Sequence, residues 1–267
     1  MKFCKFLLVP AVILAMAAGG AAQPKPKAKP SKGGKKAAAK LSPEVADLLK
    51  RIDQLSGKIE YDANGAIVGL DLSKGQTTDA DLERLKLLPE IERLTLFGPE
   101  IHNAGVQHLG ALRKLRELVL ENTEISEEGL VALTSLPELK SIVIEDTSGI
   151  TDAGIAKIAQ YLKGLEEIDL FRCAAVTDAG LAPLAGLAGL RRVKLRGSPV
   201  TGAALAQLCG LGSLNSLNLE ETKITDVGLA RLAGLKGLKT LSLKFTQVTD
   251  AAVAELQKAL PGCTITK

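Results

Sequence analysis

The sequence predicts an α/β protein: a curved solenoid of about eight repeats, with parallel strands on its concave face and helices on its convex face. Two patterns predict this fold. Each unit opens with LxxLxL or a close variant, and it continues toward ITDxGLxxLxxL. Leucines that alternate along the chain bury one face of a strand, whereas leucines three residues apart cover one side of a helix. A unit therefore runs from a strand through a turn to a helix, which its Thr or Asp can cap.

The units begin 24 to 26 residues apart, at Ile67, Ile91, Leu115, Leu139, Leu165, Leu190, Leu214 and Leu238. One unit cannot fold alone, because ordering its backbone costs roughly 1–2 kcal/mol per residue. Its buried aliphatic side chains, about six of them, return only roughly 1.5–3 kcal/mol apiece. Stability therefore requires that the units stack and cover each other's leucines. We assign residues 67–262 to one repeat domain.

The ends of such a stack need covers, because a terminal repeat exposes its core. Residues 41–66 are predicted to form an N-terminal cap of a helix plus a hairpin. Ser42 and Pro43 begin the helix, which ends near Leu55, and Asn64-Gly65 is typical of a hairpin turn. Asp81 stands where five later repeats have glycine, as suits a first unit. Residues 263–267 are predicted to be a C-terminal cap strand.

The first forty residues carry a charge unlike the rest of the chain. They contain nine lysines and no acidic residue. Residues 41–267 therefore contain the other 25 of the 34 basic residues and all 30 acidic ones. The remainder of the chain is therefore acidic, with a net charge of −5. A basic surface for nucleic acid on the repeat domain is not expected.

Residues 1–22 are typical of a secretory signal peptide, with Lys2 and Lys5 before an apolar run and small residues after it. The alternative is an uncleaved membrane anchor through residues 6–24, whose 19 uncharged residues approach the roughly 20 that span a bilayer. Residues 23–40 are rich in Lys, Pro and Ala and predict a disordered linker that could contact an anionic surface. We expect a secreted or periplasmic protein, or a membrane-anchored one if the anchor is retained.

The repeats resemble the leucine-rich-repeat superfamily, in the ITDxGL form found in bacterial repeat proteins and in eukaryotic F-box-associated ones. Residues 224–229, Ile-Thr-Asp-Val-Gly-Leu, are the clearest copy, and residues 260–265 resemble the usual close of the bacterial proteins. The resemblance implies a non-enzymatic scaffold that binds a protein or peptide partner on its concave face, and the signal-like residues 1–22 make export the expectation. The alternative is an intracellular or membrane-tethered adaptor similar to the F-box-associated proteins, although residues 41–66 are too short for an F-box.

The residues do not predict an enzyme, a metal site or a cofactor. Cys173 lies three repeats from His102 and His108, about 14 Å away at a strand spacing of ~4.8 Å, which is beyond the reach of a base. A column of small polar residues follows the strands, and we interpret it as a structural ladder that bonds the turn backbone. This column is Thr123, Thr147, Cys173, Ser198, Thr222 and Thr246.

The candidate binding site is the strand face that points away from the leucine core, at the third, fifth and seventh positions of each unit. Four apolar residues there predict a patch across repeats two to five, with acidic residues around it and a basic sixth repeat; such a patch often marks a protein interface. The alternative is that Val and Phe simply suit strands and that the basic residues pair with neighbouring acids. The candidate partner-binding residues of this expected monomer are Arg93, Phe97, Glu117, Val119, Glu121, Val143, Glu145, Glu167, Asp169, Phe171, Arg192, Lys194 and Arg196.

Overall fold

The computed structural model of the chain describes residues 42–267. The predicted signal peptide (1–22), the alternative anchor (6–24) and the predicted linker (23–40) lie outside the described residues. Within residues 42–267, ten strands form one sheet in chain order. The first two strands pair antiparallel, and every later neighbour pairs parallel. This arrangement confirms the predicted α/β repeat solenoid.

The strands become shorter along the chain, from five residues in the second to fourth repeats to three in later ones. They are β1 (Lys58–Tyr61), β2 (Ile67–Leu72), β3 (Arg93–Phe97), β4 (Glu117–Glu121), β5 (Ser141–Glu145), β6 (Glu167–Asp169), β7 (Arg192–Lys194), β8 (Ser216–Asn218), β9 (Thr240–Ser242) and β10 (Thr264–Thr266). The seventh position of the later repeats therefore lies just beyond its strand.

The convex side holds short helices, several of which continue as 3₁₀ turns. The helices are α1 (Pro43–Gln54), α2 (Asp79–Arg84), α3 (Asn103–Val106), α4 (Glu127–Leu133), α5 (Asp152–Tyr161), α6 (Asp178–Leu181), α7 (Gly202–Leu208), α8 (Asp226–Leu229) and α9 (Asp250–Ala259). A 3₁₀ turn rises more per residue than an α-helix, so it crosses a 24-residue unit with fewer residues. The 26-residue fourth unit accommodates the ten-residue α5. None of the helices in residues 42–267 is both long and apolar enough to span a bilayer.

One hydrophobic core runs the length of the described chain. The parallel register places equivalent residues side by side, as where Leu94 pairs with Leu118 and Leu118 with Ile142. These side chains are at most 1% exposed. Each repeat thus covers the leucines of the next, which is the stacking that the sequence requires.

Where the ITDxGL motif carries its aspartate, that carboxylate can tie one repeat to the next, as between the fourth and fifth repeats. Thr177 caps its own helix by accepting a hydrogen bond from the Ala179 N–H (3.3 Å). Asp152 of the preceding repeat accepts bonds from the Thr177 N–H (2.7 Å) and hydroxyl (2.6 Å). Gly180 leaves room for this carboxylate, because a Cβ there would lie 2.3 Å from Asp152 Oδ1. The same pairing joins Asp178 to Thr201 and Asp226 to Thr249. This aspartate therefore links repeats, a role beyond the helix cap that the sequence predicts.

The N-terminal helix and hairpin pack where a preceding repeat would otherwise lie. Ser42 caps α1 by accepting a hydrogen bond from the Val45 N–H (3.3 Å). Asp81, at the glycine position, is 7% exposed and accepts two hydrogen bonds from Arg51 of α1, at 2.7 and 3.0 Å. Asp81 therefore binds α1 in the first repeat, at a position where five later repeats have glycine and no side chain.

We expect Thr77→Val to stabilise the protein. Thr77 occupies a column that holds Ile101, Ile125 and Ile150 in the next repeats, and it is fully buried. Its hydroxyl has no hydrogen-bond partner among the described residues. Valine keeps the shape and removes the unpaired hydroxyl, so the free energy of unfolding should rise by about 1–2 kcal/mol in chemical denaturation.

Thr222→Val is the matched control for this substitution. Thr222 is also buried, but its hydroxyl donates to the Leu219 carbonyl at 2.6 Å. Losing that bond should lower the free energy of unfolding by about 1–3 kcal/mol. If both substitutions destabilised the protein equally, the structural account of Thr77 would be wrong.

Candidate functional site

The candidate site is the face of the sheet opposite the helices, where the register arranges side chains in rows. Thr95, Val119, Val143, Asp169 and Lys194 follow one another across the fifth positions of five strands. This is the row that the sequence predicts, and it places Val119 beside Val143.

The seventh positions of repeats two to five form a second row, here called the Phe–Glu row: Phe97, Glu121, Glu145 and Phe171. Phe97 pairs with Glu121, and Glu121 with Glu145, in the parallel register. Phe171 lies beyond the end of β6, but its carbonyl accepts from the Asp146 N–H at 3.0 Å and continues the row. All four side chains are half-buried. The two rings therefore do not form one apolar surface along this row, because two carboxylates separate them.

The ring of Phe171 already has cations on it. The guanidinium carbons of Arg172 and Arg196 lie 4.7 and 5.2 Å from the ring centroid. This is the range in which the electrons of an aromatic face attract a cation. Phe171 thus belongs to a packed aromatic–arginine group, whereas Phe97 has no such contact in residues 42–267.

The basic residues of the sixth repeat pair with the acids beside them, as in the alternative interpretation of the sequence. Arg192 contacts Glu167 at 2.6 Å, and Lys194 contacts both Glu167 (3.0 Å) and Asp169 (3.1 Å). Burial and the two cations act oppositely on Glu167, and the cations hold the pKa of its carboxyl below the usual value.

The two outer arginines of the candidate set are also paired. Arg196 contacts Glu221 at 2.7 Å and lies 3.7 Å from Glu220. Arg93 contacts Glu60 of the N-terminal hairpin at 2.7 Å. The four basic candidates therefore offer little unpaired positive charge to a partner.

Asp169 differs from the exposed surface carboxylate that the sequence predicts. It lies in the fifth-position row, but only 6% of its surface is exposed. Burial raises the pKa of its carboxyl, and the nearby Lys194 ammonium only partly opposes this effect. Asp169 is therefore an internal partner of Lys194 rather than a free contact.

Three carboxylates of the face have no ion pair within residues 42–267: Glu117, Glu121 and Glu145. Burial, followed by the charges of Asp169 and Glu121, raises the pKa of Glu145 to about 7, against a smaller opposing effect of Lys194. Burial and the charge of Asp146 likewise raise the pKa of Glu121. The middle of the Phe–Glu row is thus a place where negative charge accumulates without a partner.

Sequence reasoning missed three residues that pair with this face: Glu60, Arg172 and Glu221. Arg172 and Glu221 occupy the eighth position of their units, in left-handed turns with φ of 53° and 58°. Their N–H groups donate to the Arg196 and Lys244 carbonyls of the next repeats. The sequence contains a signal for Arg172 and Glu221, because the eighth position of each unit recurs at the same spacing as the leucines.

The polar column after the strands is the structural ladder that the sequence predicts. The hydroxyls of Ser198 and Thr246 donate to the Leu170 and Leu243 carbonyls, at 2.7 and 2.6 Å. Cys173 is fully buried, its thiol donates to the Ile144 carbonyl at 3.3 Å, and burial raises its pKa to about 12. His102 and His108 are exposed. Among residues 42–267, no group of three or more His, Cys, Asp or Glu side chains is arranged to hold a metal ion.

A family model described as "Leucine Rich repeat" matches residues 111–133 and 213–233. The chain therefore carries leucine-rich repeats, in agreement with its period and its fold. A search of curated proteins found no match.

A similar fold is found in a solved structure of a bacterial protein. An internalin (inlF) from Listeria monocytogenes is 21% identical with a TM-score of 0.54, and the match covers 78% of this chain and 64% of that one. This similarity supports the repeat fold alone, and the chain spans 64% of the length of that internalin. Internalin C2 from the same species matches at 23% identity and a TM-score of 0.48, over 84% of this chain and 93% of that one. A leucine-rich-repeat protein from Leptospira interrogans matches at 16% identity and a TM-score of 0.44. That match covers 75% of this chain and 60% of the Leptospira chain.

We expect Glu145→Gln to raise the melting temperature at pH 8 and to change it little at pH 5. The folded-state pKa of about 7 lies above the usual value of 4.5, so folding disfavours the ionised form. The contribution of this carboxyl to stability is then complete below about pH 4.5 and is lost as the pH rises through about 7. Glutamine is neutral at both pH values, so only the pH 8 protein should gain.

Glu117→Gln is the control, because Glu117 is exposed on the same face. It should change the melting temperature by a similar small amount at both pH values. An equal effect of Glu145→Gln at pH 5 and pH 8 would contradict the buried, repelled state of this carboxyl.

Proposed function

We propose that this protein is an exported, non-enzymatic scaffold that binds a protein or peptide partner on the concave face of its leucine-rich repeats. One observation carries the proposal: the strand face opposite the helices presents half-buried aromatic and aliphatic side chains beside carboxylates that have no ion pair in the described residues. Protein binding is the general role of leucine-rich-repeat scaffolds, although a fold alone does not establish a function.

The proposed contact surface centres on repeats two to four. It consists of Phe97, Val119, Val143 and the three unpaired glutamates of this face. Phe171 and the arginines around it form a packed border to this surface. Arg93, Arg192, Lys194 and Arg196 act mainly through their internal ion pairs, which contribute modestly when partly exposed.

The proposed organisation of the chain is a signal peptide (1–22), a linker (23–40), an N-terminal cap (41–66), the repeats (67–262) and a C-terminal cap strand (263–267). The ITDxGL pattern supports the form of repeat found in bacterial proteins, and we propose a monomer. The composition of residues 1–22 supports export, and that of the linker supports contact with an anionic surface. The alternative function is an adaptor inside the cell or tethered to the membrane through residues 6–24.

We expect the exported chain to lose its first 22 or so residues when it is expressed in a bacterial host. Mass spectrometry of the N-terminus, after fractionation of the cells, is the measurement. Ile13→Arg interrupts the apolar run and should retain the full-length chain in the cytoplasm. Recovery of the unaltered chain at full length inside the cell would favour the adaptor.

We expect Phe97→Ala combined with Phe171→Ala to weaken capture of the partner at least tenfold. The full chain serves as the bait, mass spectrometry identifies the captured protein, and its affinity is then measured by calorimetry. The variant loses the Phe97 contact and the ring that holds the border of the site at Phe171, and about 1 kcal/mol or more from each is sufficient for this change. Melting temperatures should fall by only a few degrees, since both rings are half-buried and the two cation–π contacts of Phe171 are partly exposed.

Phe245→Ala is the matched control, because Phe245 is 80% exposed in the turn after β9, in the last repeat. It removes one aromatic ring far from repeats two to four and should leave capture unchanged. If the double variant bound normally, the assignment of the site to this face would be refuted.

A further inference from the structure

We infer that the partner presents a cationic segment to this face, with an Arg or Lys side chain that occupies the space between Phe97, Glu121 and Glu145. The inference rests on the proposed function and gives the chemistry of the partner. It follows from a comparison of two groups on the concave face. In repeats five to seven a cation lies between an aromatic ring and carboxylates, whereas in repeats two to four the ring and the carboxylates are present without a cation from residues 42–267.

The complete arrangement lies in repeats five to seven. There the seventh positions are Phe171, Arg196 and Glu220, one in each successive repeat. The Arg196 guanidinium lies over the Phe171 ring and 3.7 Å from Glu220, and the adjacent Glu221 contacts it at 2.7 Å. A cation is thus held between an aromatic face and carboxylates, and both of these attract a guanidinium.

The incomplete arrangement lies in repeats two to four. The same seventh positions there are Phe97, Glu121 and Glu145. The aromatic ring and the carboxylates are present, but no cation of residues 42–267 lies over Phe97 or forms an ion pair with either glutamate. Glu121 and Glu145 instead lie directly opposite each other on adjacent strands, which is unfavourable for like charges.

The surrounding charges favour a cation from a second molecule. Three basic residues of the neighbouring repeats already have partners: Arg93 is bound to Glu60, and Lys194 to the Glu167–Asp169 pair. Arg172 lies over Phe171 and 3.9 Å from Asp146. Lys74 of the first repeat and Lys244 of the eighth have no ion pair within residues 42–267, but neither contacts Glu121 or Glu145. Charge complementarity therefore selects a partner that carries its own Arg or Lys.

Such a partner should bind more tightly as the pH rises. The groups that face Glu145 are Glu121 on β4, Asp169 on β6, Lys194 on β7 and Asp146 in the following turn. Burial, together with the smaller net effect of these charges, raises the pKa of Glu145 to about 7, so its carboxyl is largely protonated at pH 6. Binding of a cation favours the ionised form, and the affinity should fall up to about tenfold per pH unit below 7.

The test uses the full chain and two fluorescein-labelled dodecapeptides of arginine, glycine and serine, one of which carries citrulline in place of each arginine. Fluorescence anisotropy at pH 8 and low salt measures both affinities. The arginine peptide should bind at least tenfold more tightly than the citrulline peptide. Glu121→Gln combined with Glu145→Gln should abolish that difference and flatten the pH profile between 6 and 8.

Two control variants separate a local site from net charge and from general stickiness. Glu127→Gln combined with Glu128→Gln removes the same two charges from α4 on the convex side and should leave binding unchanged. Phe97→Leu keeps an apolar side chain but removes the aromatic face, and it should lower the affinity for the arginine peptide by about twofold to fivefold. Melting temperatures verify that each variant is folded.

Three outcomes would overturn the inference: equal affinity for the two peptides, full binding by the Glu121→Gln, Glu145→Gln protein, or displacement of the peptide by millimolar calcium with the same residue dependence. The last outcome would indicate an inorganic cation site. None of these outcomes changes the result expected from the capture experiment on the Phe97→Ala, Phe171→Ala variant, because that experiment uses the natural partner. Failure of the cationic inference and failure of the proposed binding face are therefore distinguishable.

Discussion

The whole structure depends on the burial of each repeat's leucines by the next repeat. The parallel register places equivalent core residues side by side, so that a single apolar core extends from Leu48 in the N-terminal helix to Cys263 beside the last strand. No single unit carries enough core to fold by itself, so the contacts between neighbouring repeats stabilise the whole domain. The aspartate that bonds the next repeat and the glycine that admits it hold successive turns at the spacing that leucine packing needs.

The same constraint determines what the concave face can present. Once alternate strand residues are committed to the core, the others must lie in rows in which each side chain has its counterpart about 4.8 Å away. A row therefore brings together residues some 24 positions apart in the chain, whatever their charge. Opposite charges that meet in this way pair, as Glu167 and Arg192 do. Like charges that meet, such as Glu121 and Glu145, have no ion pair within residues 42–267. Burial, followed by the charges of Asp169 and Glu121, then raises the pKa of Glu145 to about 7.

The turns that follow the strands extend this face with residues that the strand pattern omits. A left-handed turn at the eighth position aims its N–H at the next repeat's carbonyl, and it is kept even where the residue is Arg172 or Glu221 rather than glycine. The hydrogen bond to the next repeat compensates for a conformation that such residues normally avoid. The side chains of these turns then complete the aromatic–arginine group at the border of the candidate site.

The sequence by itself determined the fold class and the alignment of equivalent strand residues in rows, because the leucine period dictates strand register directly. It also identified the N-terminal helix and hairpin, whose cap and turn residues are local signals. Only the tertiary structure decided which outward-facing side chains are paired. It buries Asp169 against Lys194 and places two cations on Phe171, whereas Glu121 and Glu145 have no ion pair within residues 42–267. Burial and pairing depend on distances between residues far apart in the chain, and periodicity alone carries no such distances.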